Sequence, residues 1–182
     1  MTPDDVAAAD NLLASADTVS VQLQQPAATA PAAVRRATAH GARVVADSTR
    51  EPDALSALLP CVDVLRADAR EAEMPAGEPV TSADQARDLA GRLLDAGPDL
   101  VALAVPEVGD LVVTAEGSVL LPLADVEVVD PTGAGDAFTA GLVAGLHRAW
   151  DAEAAAHLAS SAAAATVRRL GGRPDLSHLR TG

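Results

Sequence analysis

Val126-Glu127-Val128-Val129-Asp130-Pro131-Thr132-Gly133-Ala134-Gly135-Asp136-Ala137-Phe138 joins two kinds of sequence. Val126 to Val129 reads as a strand entering a glycine-rich turn. Gly135 to Trp150, with apolar residues at helical spacing, reads as a long helix leaving it. The first N–H groups of a helix have no intrahelical acceptor. Glycines let such a backbone bend and approach a ligand with no Cβ in the way. The N–H groups of Gly133, Ala134 and Gly135, with that of Asp136 as a further one, are therefore candidates for an anion hole. Asp136, at the mouth of the turn, is placed to accept a proton from a hydroxyl attacking a bound phosphoryl group. A tight strand-to-helix connection, with Asp136 as a first-turn acid, would use the same residues. The turn is neither a Walker A loop nor a dinucleotide fingerprint, because no Gly-Lys-Ser/Thr follows and the glycine spacing differs.

Outward from the turn, short apolar runs alternate with helix-period stretches. Val6 to Ala16 reads as a helix and Thr18 to Leu23 as a strand. Pro31 to His40 is a second helix, stopped at Gly41, and Arg43 to Ala46 a second strand. Asp53 to Leu59 is a short helix, Val62 to Leu65 a third strand, and Ser82 to Ala96 a longer helix capped by Ser82 and ended by Gly97-Pro98. Leu100 to Val105 is a fourth strand. Asp110 to Thr114 and Ser118 to Leu121, around Ala115-Glu116-Gly117, form a β-hairpin. Ala152 to Leu170 is the last helix. Pro75 to Pro79 is the most loop-like stretch. This rhythm implies an α/β fold with a doubly wound, mostly parallel sheet, flanking helices and an antiparallel edge. Ligands of such sheets bind outside the carboxyl ends of the strands.

The chain has 182 residues with 49% apolar residues but only 1% aromatic, Phe138 and Trp150. Its core must come from Ala, Val and Leu. The formal charge is −13; a surface this acidic, with no basic run, argues against nucleic acid or an anionic membrane as partner. A small phosphate ligand held by backbone N–H groups is compatible with it. Cys61, the sole cysteine, excludes a disulfide framework and reads as a buried structural thiol. His40, His147, His157 and His178 show no ligand spacing. No targeting peptide and no run of about 18 apolar residues is visible, so a cytoplasmic protein is expected.

The string Val128 to Phe138, followed by Ala140-Gly141-Leu142, resembles the C-terminal signature of the ribokinase-like (PfkB) carbohydrate kinases. The resemblance implies Asp136 as catalytic base, Gly133, Ala134 and Gly135 as the hole for the ATP phosphate, and Asp130 beside a monovalent-cation site, K⁺ in some members. Asp17 to Leu23 resembles the strand that usually ends in Gln-Leu-Glu, with Gln24 where Glu is common. Asp47 ends the next strand beside the expected crevice, with a structural cap as its alternative role. Val62 to Glu71 resembles the segment carrying Asn-x-x-Glu. Glu71 matches the Glu that acts indirectly on Mg²⁺, and Asp68 replaces the Asn on the nucleotide side. The family's Thr-x-Gly-x-x-Gly nucleotide loop falls on Ala104 to Gly109, where only Gly109 persists and Pro106 replaces a glycine. Ser160 falls at a polar adenine-side position.

By this resemblance, residues 1–182 form the C-terminal part of a PfkB-type kinase domain, with the N-terminal half and its lid absent. The implied function is an ATP-dependent phosphotransferase, with Mg²⁺ on the nucleotide and a sugar or nucleoside hydroxyl as acceptor. A homodimer or a complementing N-terminal half would be the protein partner. The alternative is a non-catalytic, truncated kinase-like remnant or interaction module.

Overall fold

The computed structural model of the chain describes residues 1–174, 176, 177 and 179. A six-stranded sheet runs in sequence order: β1 (Thr18–Gln22), β2 (Arg43–Asp47), β3 (Val64–Ala67), β4 (Leu100–Val105), β5 (Gly109–Thr114) and β6 (Gly117–Pro122). β1 to β4 are parallel, whereas β5 and β6 continue the sheet as an antiparallel hairpin.

Helices cover both faces. Those of one layer are α1 (Pro3–Ala8), α2 (Asp10–Ala14), α3 (Thr29–Ala39), α4 (Pro52–Ser56), α5 (Ala69–Ala76) and α6 (Ala83–Leu94). The other layer is α7 (Ala134–His147) with α8 (Ala152–Val167). Strand residues alternate between two cores, as a doubly covered sheet requires. Val44, Ala46, Leu65, Val101 and Leu103 pack toward α3 and α6. Val45, Val64, Leu100, Ala102 and Val112 pack toward Phe138 and Leu142 of α7 and the alanines of α8. Buried Ala, Val and Leu dominate, with Phe138 the one buried ring. α7 and α8 approach so closely that a Cβ on Gly141 would stand 2.7 Å from Ala159 Cα, and one on Gly145 2.7 Å from Ala155 Cα. Small residues on facing helices replace the missing bulk with backbone proximity.

Several expectations need correction. Val126 to Val129 is not a strand: its valines match β propensity, but the sheet ends at β6, and this segment instead crosses to the end of α8. Val129 and Asp130 N–H donate to Val167 O at 2.8 and 3.1 Å. The first helix is two helices, α1 and α2, meeting at Ala9. The third strand begins at Val64 rather than Val62, because Leu59–Cys61 is a 3-10 turn. Cys61 is half-buried against the core rather than enclosed.

Pro75 opens the stretch expected to be most loop-like, yet it lies inside α5. Proline lacks the N–H that would bond the carbonyl four residues back, that of Glu71. The Thr49 hydroxyl donates to that carbonyl instead. Gly77, with φ +76°, then ends the helix.

No helix among the described residues is long and apolar enough to cross a membrane.

Candidate active site

The carboxyl ends of β2 and β3 face the amino end of α7, and mid-strand Ser20 of β1 lies beside them. Val45 and Val64 point toward α7, so the residues two further along, Asp47 and Arg66, point the same way. Asp47 and Arg66 are also direct register partners on adjacent strands. Arg66 Nη1 lies 3.3 Å from Asp47 Oδ1 and 4.0 Å from Glu71 Oε2, and all three side chains are largely withdrawn from water. Burial raises the pKa of Asp47 above the usual carboxylate value, although Arg66 pulls against that shift. Asp110, in register with Ala104 at the start of β5, likewise has its pKa raised by burial and opposed by Arg66.

The turn Pro131 to Gly135 brings α7 over this cluster. Gly133 adopts φ +77° and no side chain caps the helix. Ala134 N–H donates to Pro131 O at 3.2 Å, and Ala137 N–H to Gly133 O at 2.9 Å. Among the described residues the N–H groups of Gly133, Gly135 and Asp136 have no protein acceptor. Of the expected hole, Ala134 thus spends its N–H inside the turn, while those of Gly133, Gly135 and Asp136 stay without a protein acceptor. Arg66 completes the surface. A Cβ on Gly135 would stand 2.7 Å from Arg66 Nη1 and 2.9 Å from Nη2. Three N–H donors at a helix start beside a guanidinium suit the oxygens of a phosphoryl group.

Asp136 is exposed and opens into a cavity of about 320 Å³ shared with Ser20, Asp47 and Thr139. Asp130 is a clamp: Oδ1 accepts from Thr132 N–H and Oδ2 from Gly171 N–H, both at 2.9 Å. Those contacts hold its pKa at about 2. The clamp ties the turn to the segment after α8.

Asp68 and Glu71 form a reciprocal cap on α5. Glu71 N–H donates to Asp68 Oδ1 and Asp68 N–H to Glu71 Oε2, each at 2.8 Å. Gln24 Nε2 donates to Glu71 Oε1 at 3.1 Å and to Ser48 Oγ at 3.2 Å. An amide in place of a glutamate at residue 24 therefore gives Glu71 a donor rather than a like charge. Ser48 itself is buried with φ +76°, a conformation rare for a non-glycine residue and common at functional turns.

Gly109 has a structural explanation: with φ +144°, a Cβ there would meet Leu121 O at 1.9 Å. Pro106 stands in a tight turn closed by Val108 N–H to Val105 O at 3.1 Å, where proline's fixed φ fits. Ser160 is half-buried on α8, with no hydrogen bond among the described residues joining it to the turn. His178 lies outside the described residues. Among the described residues no group of three carboxylate, histidine or cysteine side chains converges as a metal cage.

Sequence reasoning missed Arg66 and Asp110, and gave Asp47 no partner. The available signal was a charged residue ending an apolar run at the same offset in two strands, Val45-Ala46-Asp47 and Val64-Leu65-Arg66.

Residues 2–179 match the pfkB family carbohydrate kinase domain. The ribokinase of Staphylococcus aureus is 29% identical over 180 residues, covering 98% of this chain and 59% of its own length. The adenosine kinase of Sinorhizobium meliloti superposes with a TM-score of 0.80 at 26% identity, covering 96% of this chain and 55% of its own. The Arabidopsis thaliana ribokinase complexed with ribose and ATP shares the fold, with a TM-score of 0.82 at 22% identity, covering 97% and 57%. The chain thus spans less than two thirds of the length of these relatives. It belongs to the pfkB family of carbohydrate kinases.

Proposed function

We propose that this chain carries the phosphoryl-transfer corner of an ATP-dependent carbohydrate kinase and forms the C-terminal part of that domain. The observation that carries the reading is the meeting of three N–H groups without acceptors, an arginine and an exposed carboxylate at one helix start.

Gly133, Gly135 and Asp136 N–H groups hold the oxygens of the transferring phosphoryl group, where charge develops. Arg66 neutralises that charge, and Asp47 fixes its guanidinium. Asp136 orients the acceptor hydroxyl. The hydroxyl oxygen bonds to phosphorus as the bond from phosphorus to the departing nucleotide oxygen breaks. The hydroxyl proton passes late to the Asp136 carboxylate. Mg²⁺, bound to the nucleotide, would supply charge neutralisation, with the Asp68–Glu71 cap holding Glu71 nearby. Asp130, half-buried with both oxygens accepting backbone N–H groups, would lie beside a monovalent cation such as K⁺.

ATP binding by isothermal titration calorimetry, followed by product formation over a panel of sugars and nucleosides, tests this. Binding with turnover of at least one acceptor is the expected result. A chain that binds no nucleotide is a non-catalytic module instead.

A further inference from the structure

Thr139 Oγ1 is the buried side-chain polar atom left without a hydrogen-bond partner among the described residues. Thr139 is 6% exposed and sits inside α7. A hydroxyl inside a helix ordinarily donates to the carbonyl four residues back. Thr38 does so to Val34 O at 3.0 Å, Ser161 to His157 O and Thr166 to Ala162 O at 2.8 Å. Thr139 does not. It lines the same cavity as Asp136, three residues earlier on the same helix face, where Cβ atoms are about 5–6 Å apart. Ser20 and Asp47 add polar groups to this cavity, while Ala140 and Val143 add an apolar surface.

A buried hydroxyl is retained at a cost unless something satisfies it. We propose that Thr139 is an acceptor-binding residue, whose hydroxyl bonds an oxygen neighbouring the one that Asp136 deprotonates. The site then selects a compact ring with adjacent hydroxyls on one edge and C–H groups toward Ala140 and Val143. A lone-hydroxyl alcohol is disfavoured. This rests on the phosphotransferase reading above.

The test uses the full chain and its Thr139→Val and Thr139→Ser variants. Equilibrium dialysis with D-ribose and with cyclopentanol measures acceptor binding, ATP titration measures the donor side, and thermal melting reports folding. Losing one hydrogen bond should weaken ribose binding by about tenfold in Thr139→Val. ATP affinity and cyclopentanol binding should not change. Thr139→Ser should restore ribose binding to within about threefold, since it keeps the hydroxyl. Thr139→Val should melt at or above the wild-type temperature, because no internal bond is lost.

Equal ribose binding by wild type and Thr139→Val overturns the inference while leaving the phosphotransferase reading intact. So does a lowered melting point, which would reveal a structural partner. A wild-type chain that binds ATP but neither ribose nor any other sugar or nucleoside sinks the reading and the inference together.

Discussion

Arg66 lies against the α-carbon of Gly135, so the guanidinium occupies the space that a methyl group there would need. Gly135 has no positive φ and sits in the first turn of α7, so alanine would favour the helix by up to about 1 kcal/mol. Its methyl would nevertheless stand 2.7 Å from Nη1 and push Arg66 from its place beside Asp47. Gly135→Ala is therefore expected to bind ATP about tenfold more weakly, while the displaced Arg66–Asp47 pair cancels the helix gain and lowers the melting temperature. Unchanged ATP affinity by calorimetry would remove Arg66 from the phosphate surface.

Gly133 is constrained differently. Its φ is +77°, and a Cβ would lie 2.8 Å from Gly172 O and 2.9 Å from Gly172 Cα. Backbone atoms cannot swing aside as a side chain does. Gly133→Ala should cost about 2 kcal/mol or more in chemical denaturation, from the left-handed conformation and the clash combined.

Asp130 gives the turn a pH dependence. N–H donation from Gly171, with donation from Thr132, lowers its pKa from 3.8 to about 2. A folded-state pKa below the unfolded value means the contribution is present above about pH 4 and is lost as pH falls toward 2. Asp47 acts in the opposite sense: its raised folded pKa makes its contribution fall as pH rises through that value. Comparing wild type with Asp130→Asn isolates the first effect. The difference in melting temperature should be constant above about pH 4 and shrink between 4 and 2. Parallel curves through that window would show that the clamp does not act through its charge.

The Asp68–Glu71 cap separates a helix role from a charge role. Asparagine caps a helix about as well as aspartate, and alanine does not. Asp68→Asn should leave urea stability within a few tenths of a kcal/mol, whereas Asp68→Ala should lose about 1 kcal/mol. Equal losses would mean that the carboxylate charge itself is needed.

Much of the scaffold was legible because its signals are local. β4 is an apolar run between Pro98 and Pro106, and its bounds match the sequence reading. Ser82 caps α6 as its type and place suggest. The hairpin and the two closing helices also stand where expected, within a few residues at their ends. Val126 to Val129 was misleading because β propensity states only what a segment would do beside a free strand edge. α5 was hidden because the Thr49 hydroxyl that compensates for Pro75 is distant in sequence. Asp136 and the glycines were legible as one contiguous string. Arg66 was not, since its meaning depends on register with Asp47 and on the α-carbon of Gly135, relations that exist only after folding.

The central claim is that Asp136 takes the acceptor proton at a helix start that holds the phosphoryl group. Its most direct test is turnover with ATP and a panel acceptor by Asp136→Asn, with ATP affinity measured in parallel. Loss of a positioned general base predicts a fall in kcat of about 10²–10⁴-fold, with ATP affinity within a few-fold of wild type. Turnover that survives the substitution unchanged would contradict the account.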